Sequence, residues 1–223
     1  MAALSPVHEE SVAESARAAA QALAANPAFE DFYLAGSAAL ALYLGHRPVR
    51  SLDWMSAHNR LTGPERRDLL QELLALDDAT RVETARDGYL FVRLGETPVR
   101  FFYYPYPLID PLADWRGVEV ASAVDLGLMK LGAIISRGHL KDFADLYLLC
   151  REIPLEELLE RAPGKFGHVR DFPLQALKGL ADWSMTEGEP MPKLAEPVER
   201  SAVEDWCRGE VRTLGRKKLG LAP

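Results

Sequence analysis

Residues 33–56 read Tyr-Leu-Ala-Gly-Ser-Ala-Ala-Leu-Ala-Leu-Tyr-Leu-Gly-His-Arg-Pro-Val-Arg-Ser-Leu-Asp-Trp-Met-Ser. Phe32 to Ala35 is a short apolar run that reads as a buried strand, and Gly36-Ser37 makes the turn out of it. Ala38 to Leu44 reads as a small apolar helix stopped by Gly45. After the basic segment Arg47-Pro48-Val49-Arg50, Leu52 to Met55 reads as a second strand carrying Asp53. A strand, a Gly-Ser turn at a helix start and a carboxylate on the next strand make a sound phosphate site. Glycine lets backbone approach a ligand, and amides at a helix N-terminus favour anions. Ser37 offers a hydroxyl donor, and Asp53 is a candidate ligand for Mg2+, which takes one or two carboxylates plus phosphate oxygens. The plainer alternative is that Gly36 only lets strand and helix pack closely, with Asp53 an exposed strand-end residue.

Outward from this stretch, Ser11 to Ala25 is an Ala-rich helix stopped by Asn26-Pro27. Thr62-Gly63-Pro64-Glu65 has capping-box form and opens a helix through Leu76. Asp87-Gly88 is a hairpin signal between Arg81–Glu83 and Tyr89–Leu94. Residues 95–98 separate that hairpin from a strand over Val99–Tyr104, giving an antiparallel meander. From Ser122 the character turns helical. A second capping box at Ser122–Asp125 opens a helix to about Ser136, Gly138 breaks it, and Leu140–Cys150 and Leu155–Arg161 follow as two more helices. A Pro-rich stretch after Gly188 leads to a basic terminal helix. The expected organisation is an α/β lobe over 1–120, a helical region over 121–185, and a linker with the basic helix over 186–223.

At 223 residues the chain buries a core without staples, and Cys150 and Cys207 stand apart with no metal-ligand spacing. The expectation is a reducing, cytoplasmic compartment, with no signal peptide and no membrane span. A formal net charge of -7 excludes a broad nucleic-acid surface and leaves only local contact. The local candidate is the tail, where Arg208, Arg212 and Arg216 recur every fourth residue. A solvated terminal helix is the simpler reading of that stripe.

The stretch Tyr33–Arg47 followed by Ser51–Ser56 resembles the AbiEii/AbiGii-type toxin family of nucleotidyltransferases. So do Tyr104-Pro-Tyr-Pro107, Asp125-Leu-Gly-Leu-Met-Lys130 and Arg137-Gly-His-Leu-Lys141-Asp142-Phe-Ala-Asp145-Leu-Tyr147. The resemblance spans roughly residues 30–160. It implies an α+β, mixed α/β fold: a polymerase-beta-like nucleotidyltransferase core with a small mixed sheet flanked by helices, then a helical region. It also implies binding of an NTP with Mg2+ and transfer of a nucleoside monophosphate to an RNA or protein acceptor, with a cognate antitoxin as partner. On that resemblance the catalytic candidates are Asp53, Lys130 and Asp142. Gly36, Ser37, Arg47, Ser51, Arg137 and Lys141 are the nucleotide-binding candidates, and Asp53 is the metal ligand.

The sequence departs from the family pattern at two positions. Ser51 stands where the first of two paired carboxylates is expected, and the later-strand acid position falls near Arg100. A serine hydroxyl is a weak ligand for a hard cation, and one carboxylate leaves most of the charge of two divalent ions uncompensated. Three functions therefore stand side by side: a nucleotidyltransferase, a degenerate relative that binds nucleotide or a protein without transfer, or a structural or regulatory domain whose cleft is no longer used. Further readings stay open. Arg47 serves phosphate or caps the helix C-terminus, Lys141 pairs with Asp145 on the surface or orients the ligand, and Asp125 caps its helix rather than catalysing. The presence of an acid such as Asp110 or Glu119 beside Asp53 would restore two-metal chemistry; a basic neighbour would argue against it.

Overall fold

The computed structural model describes residues 2–218 and Gly220. Two compact units follow one another along the chain, residues 1–122 and residues 123–223.

The first unit holds a seven-stranded mixed sheet. In chain order its elements are α1 (Glu14–Ala24), β1 (Tyr33–Ala35), α2 (Gly36–Leu44), β2 (Leu52–Ser56) and α3 (Gly63–Leu76). There follow β3 (Arg81–Arg86), β4 (Tyr89–Leu94), β5 (Thr97–Tyr103), β6 (Ala113–Trp115) and β7 (Val118–Val120). The strand order is β3-β4-β5-β2-β1-β7-β6. Neighbours run antiparallel except β2 with β5 and β1 with β7, which are parallel.

Period-two alternation sets the two faces of this sheet. Leu52 and Trp54 on β2, Leu90 and Val92 on β4, and Val99 and Phe101 on β5 are buried. Their intervening neighbours Asp53, Met55, Tyr89, Phe91, Arg93, Arg100 and Phe102 are half-buried. Helix α1 buries Ala16, Ala19, Ala20 and Leu23 along one stripe and packs against β5 and β7. Phe29 and Phe32 pack on Phe101, with ring centroids 5.6 and 5.3 Å apart.

Several boundaries differ from the sequence expectations. The strand expected from Val99 starts at Thr97 and includes Pro98. A proline is accommodated there because β2 pairs with β5 only from Val99 onward. The hairpin of β6 and β7 lies outside those expectations. Its two-residue turn, Arg116-Gly117, has φ of 53° and 85°, the double left-handed geometry that matches strand twist.

The second unit is helical: α4 (Ala123–Ser136), α5 (Leu140–Leu149), α6 (Leu155–Phe166), α7 (Phe172–Ala181) and α8 (Arg200–Lys218). Helix α6 runs past the expected end at Arg161 and through Pro163, because Ala162, Lys165 and Phe166 are buried there. Lys165 Nζ donates to Asp125 Oδ1 at 2.8 Å, both side chains fully buried. Asp125 thus carries a charge-pairing role beyond the capping expected of it. Helix α7 is a further addition to the expected elements; it follows Asp171, which is in the left-handed region, with Pro173 in the first turn.

On α8, Arg208 bonds Glu204 and Asp205, and Lys217 pairs with Glu156. Within the basic stripe Arg208 is thus laced by carboxylates of its own helix, as on a solvated helix face. Among the described residues no helix is long and apolar enough to cross a membrane.

Candidate functional site

Helix α2 starts abruptly because Gly36 takes φ of +62°, a conformation that L side chains rarely adopt. Ala35, the cap residue, supplies no side-chain acceptor to the first turn, so that turn keeps the partial positive charge of a helix start. Gly36 is also constrained by contact: a Cβ there would run into Asp53 Oδ2. The pairing of β1 with β2 places Ala35 beside Asp53, which is why the carboxylate lies against the turn.

The other neighbour of Asp53 is basic. In the parallel register of β2 and β5, Asp53 sits beside Arg100, and Arg100 Nη1 donates to Asp53 Oδ1 at 3.2 Å. The antiparallel register of β5 and β4 puts Phe91 on the far side of Arg100, and the guanidinium lies 5.0 Å from the Phe91 ring centroid. Arg47 reaches back along α2 to its first turn, where Nη2 donates to Ser37 Oγ at 2.7 Å. Arg47, Ser37, Gly36, Asp53, Arg100 and Phe91 thus form one continuous line of contacts in the first unit.

This donor set does not fit a two-metal centre. Ser51 is neutral, Asp53 is already ion-paired, and its β5 neighbour is a permanent cation that would repel Mg2+. No cluster of three or more His, Cys, Asp or Glu suited to a metal occurs among the described residues.

The remaining candidates sit in the second unit. Lys130 Nζ on α4 donates to Asp142 Oδ1 at 3.0 Å and Asp145 Oδ2 at 2.6 Å, with both carboxylates fully buried. Arg137 Nε adds a bond to Asp142 Oδ2 at 2.9 Å. Burial alone would pull the Lys130 ammonium down, but the two carboxylates outweigh it and hold its pKa above the ordinary value. Asp142 is likewise pushed up by burial, yet Lys130 and Arg137 bring it below the usual carboxylate range. Lys165 goes the other way: desolvation outweighs its pairing with Asp125, and its pKa is lowered.

Of the two readings left open for Lys141, the surface pair with Asp145 is not the one formed. Asp145 turns inward to Lys130, whereas Lys141 is exposed and lines a cavity of about 430 Å3 with His139, Glu189, Pro190, Met191 and Pro192. Two features of these sites carry little signal in the sequence. Phe91 under Arg100 is visible there only as a member of an alternating strand. Glu189, which accepts from Leu140 N at 2.6 Å and contacts His139 Nδ1 at 2.5 Å, comes from the Pro-rich segment and carries none.

Comparison with known proteins follows the same outline. A Helicobacter pylori crystal structure, whose own assignment as a nucleotidyltransferase is provisional, superposes with a TM-score of 0.52 at 16% identity. It covers 95% of this chain and 99% of that one, which assigns the nucleotidyltransferase-like fold. No family model matches the chain. The uncharacterized protein aq_aa25 of Aquifex aeolicus is 33% identical over 150 residues, covering 64% of this chain and 69% of the relative. With the fold shared with nucleotidyltransferases and that level of identity, the chain belongs to the family of the Aquifex aeolicus protein aq_aa25.

Proposed function

We propose that this chain binds a nucleotide through its phosphates at the start of α2 and performs no two-metal nucleotidyl transfer. The observation that carries this reading is the Arg100–Asp53 ion pair. It places a cation on the carboxylate that a transferase needs for metal, while Ser51 supplies no second charge. What supports nucleotide binding is the turn itself: Gly36 in its left-handed conformation and Ser37 held by Arg47. Within the AbiEii-type resemblance, this is the degenerate alternative rather than the active toxin. An RNA or protein acceptor is then not required, and an antitoxin is a partner for binding rather than for restraint of catalysis.

The test is direct. The chain is incubated with each α-labelled NTP, bulk RNA and Mg2+ or Mn2+, with calorimetry alongside. The expected outcome is saturable nucleotide binding with no label transferred to RNA or to the protein. Metal-dependent labelling that disappears in Asp53→Ala would overturn the proposal in favour of a working transferase.

A further inference from the structure

Arg100 is a cation held ready from two sides. Asp53 fixes one end of its guanidinium at 3.2 Å, and Phe91 supports its face at 5.0 Å. Among the described residues the guanidinium has no other hydrogen-bond partner, so one of its five N–H donors is engaged. Its side chain remains 32% exposed. A guanidinium so placed has lost most of its rotamer freedom and still presents the fork that matches phosphate oxygens. Its charge does not depend on pH in the physiological range.

We infer that Arg100 takes the ligand's phosphate in place of a divalent cation, so that the ligand is a nucleoside di- or triphosphate bound free of metal. The inference rests on the nucleotide-binding reading above and adds the state in which the ligand arrives. In a metal-dependent site, carboxylates hold the metal and the metal holds the phosphate. Here Asp53 holds Arg100, and the chain supplies the intervening cation itself. Arg47, on Ser37 at 2.7 Å, adds a second guanidinium beside the same turn. The start of α2 adds the partial positive charge of its first turn beside Arg100, which suits an anion and disfavours a bare divalent ion.

The experiment compares ATP, GTP, CTP and UTP, with ADP and AMP, in EDTA and in millimolar Mg2+ by calorimetry. Binding of free Mn2+ to the protein alone is followed by its paramagnetic resonance signal. The expected result is a Kd that changes less than about threefold on removing metal and no Mn2+ bound in the absence of nucleotide. It also includes a loss of about tenfold or more in affinity for Arg100→Gln, a size in line with a charge-assisted hydrogen bond. Arg100→Lys, which keeps the charge and loses the fork, recovers only part of that loss. Nucleotide binding that requires Mg2+, or a folded Arg100→Gln that binds like the wild type, overturns this inference while leaving nucleotide binding intact. Absence of binding in both buffers sinks the nucleotide reading itself. The Mn2+ measurement needs no variant and decides against the inference if the ion binds tightly at Asp53.

Discussion

Lys130 and Asp142 are candidate catalytic residues by family resemblance, and their surroundings give them a structural duty. Asp142 is fully buried between Lys130 and Arg137. Asp142→Asn removes one of the two buried carboxylates paired with Lys130 and should destabilise the fold by about 3 kcal/mol, the low end for breaking a buried pair, as measured by urea unfolding at pH 7. The pH dependence follows from the directions of the two shifts. Asp142, lowered in the native state, stabilises above about pH 4, and that contribution is lost as pH falls through its native value. Lys130, raised in the native state, stabilises up to about pH 10.4, and its share is lost as pH climbs past that value. Asp142→Asn should therefore remove part of the acid-side slope. An unchanged acid limb would show that the pair contributes nothing to folding. At this scale the sequence names both residues, yet Arg100, legible there only as a missing acid, becomes an ion-pair partner of Asp53 once β2 and β5 are paired.

Helix α3 shows how an element can be read from a few residues. Glu65 Oε2 accepts from Thr62 N at 2.8 Å and from the Thr62 hydroxyl at 2.7 Å, and these bonds hold the Glu65 carboxyl below its ordinary value. Glu65→Ala should cost about 1 kcal/mol and fray the first turn, seen as faster amide exchange over residues 62–66. Retained protection there would mean that Pro64 and packing suffice. The Thr62–Glu65 capping box, the Asp87-Gly88 turn and Gly45 are legible because each needs only a few neighbouring residues. The full length of helix α6 is not, because a proline at 163 argues locally for a stop. Burial of Ala162, Lys165 and Phe166, with Lys165 reaching Asp125 forty positions away, carries the helix beyond it. The β6–β7 hairpin has a legible signal in Arg116-Gly117 but lies in strands of three residues, too short for periodicity to register.

At the level of the whole molecule, the fold brings Cys150 and Cys207 within electrostatic range of each other, and burial raises both thiols, Cys207 to about 12. Neither forms a disulfide among the described residues. Native protein at pH 8 should react with a chromogenic disulfide reagent only over hours, and both thiols should react promptly in denaturant. Reaction of either within minutes would contradict the packing of α8 on α5 and α7. The sequence by itself determined the strand-turn-helix-strand core around Gly36 and Asp53, the hairpin of β3 and β4, and the change to helices after Ser122. Those features depend on turn stereochemistry, capping and hydrophobic period, all encoded within a few consecutive residues. Only the tertiary structure decided the company each charge keeps: Arg100 on Asp53, Arg47 on Ser37, Asp145 on Lys130 rather than Lys141, and Lys165 on Asp125. Pairing is a matter of strand register and helix packing between distant segments, and the energy of a charge depends on which partner that packing brings within a few ångströms.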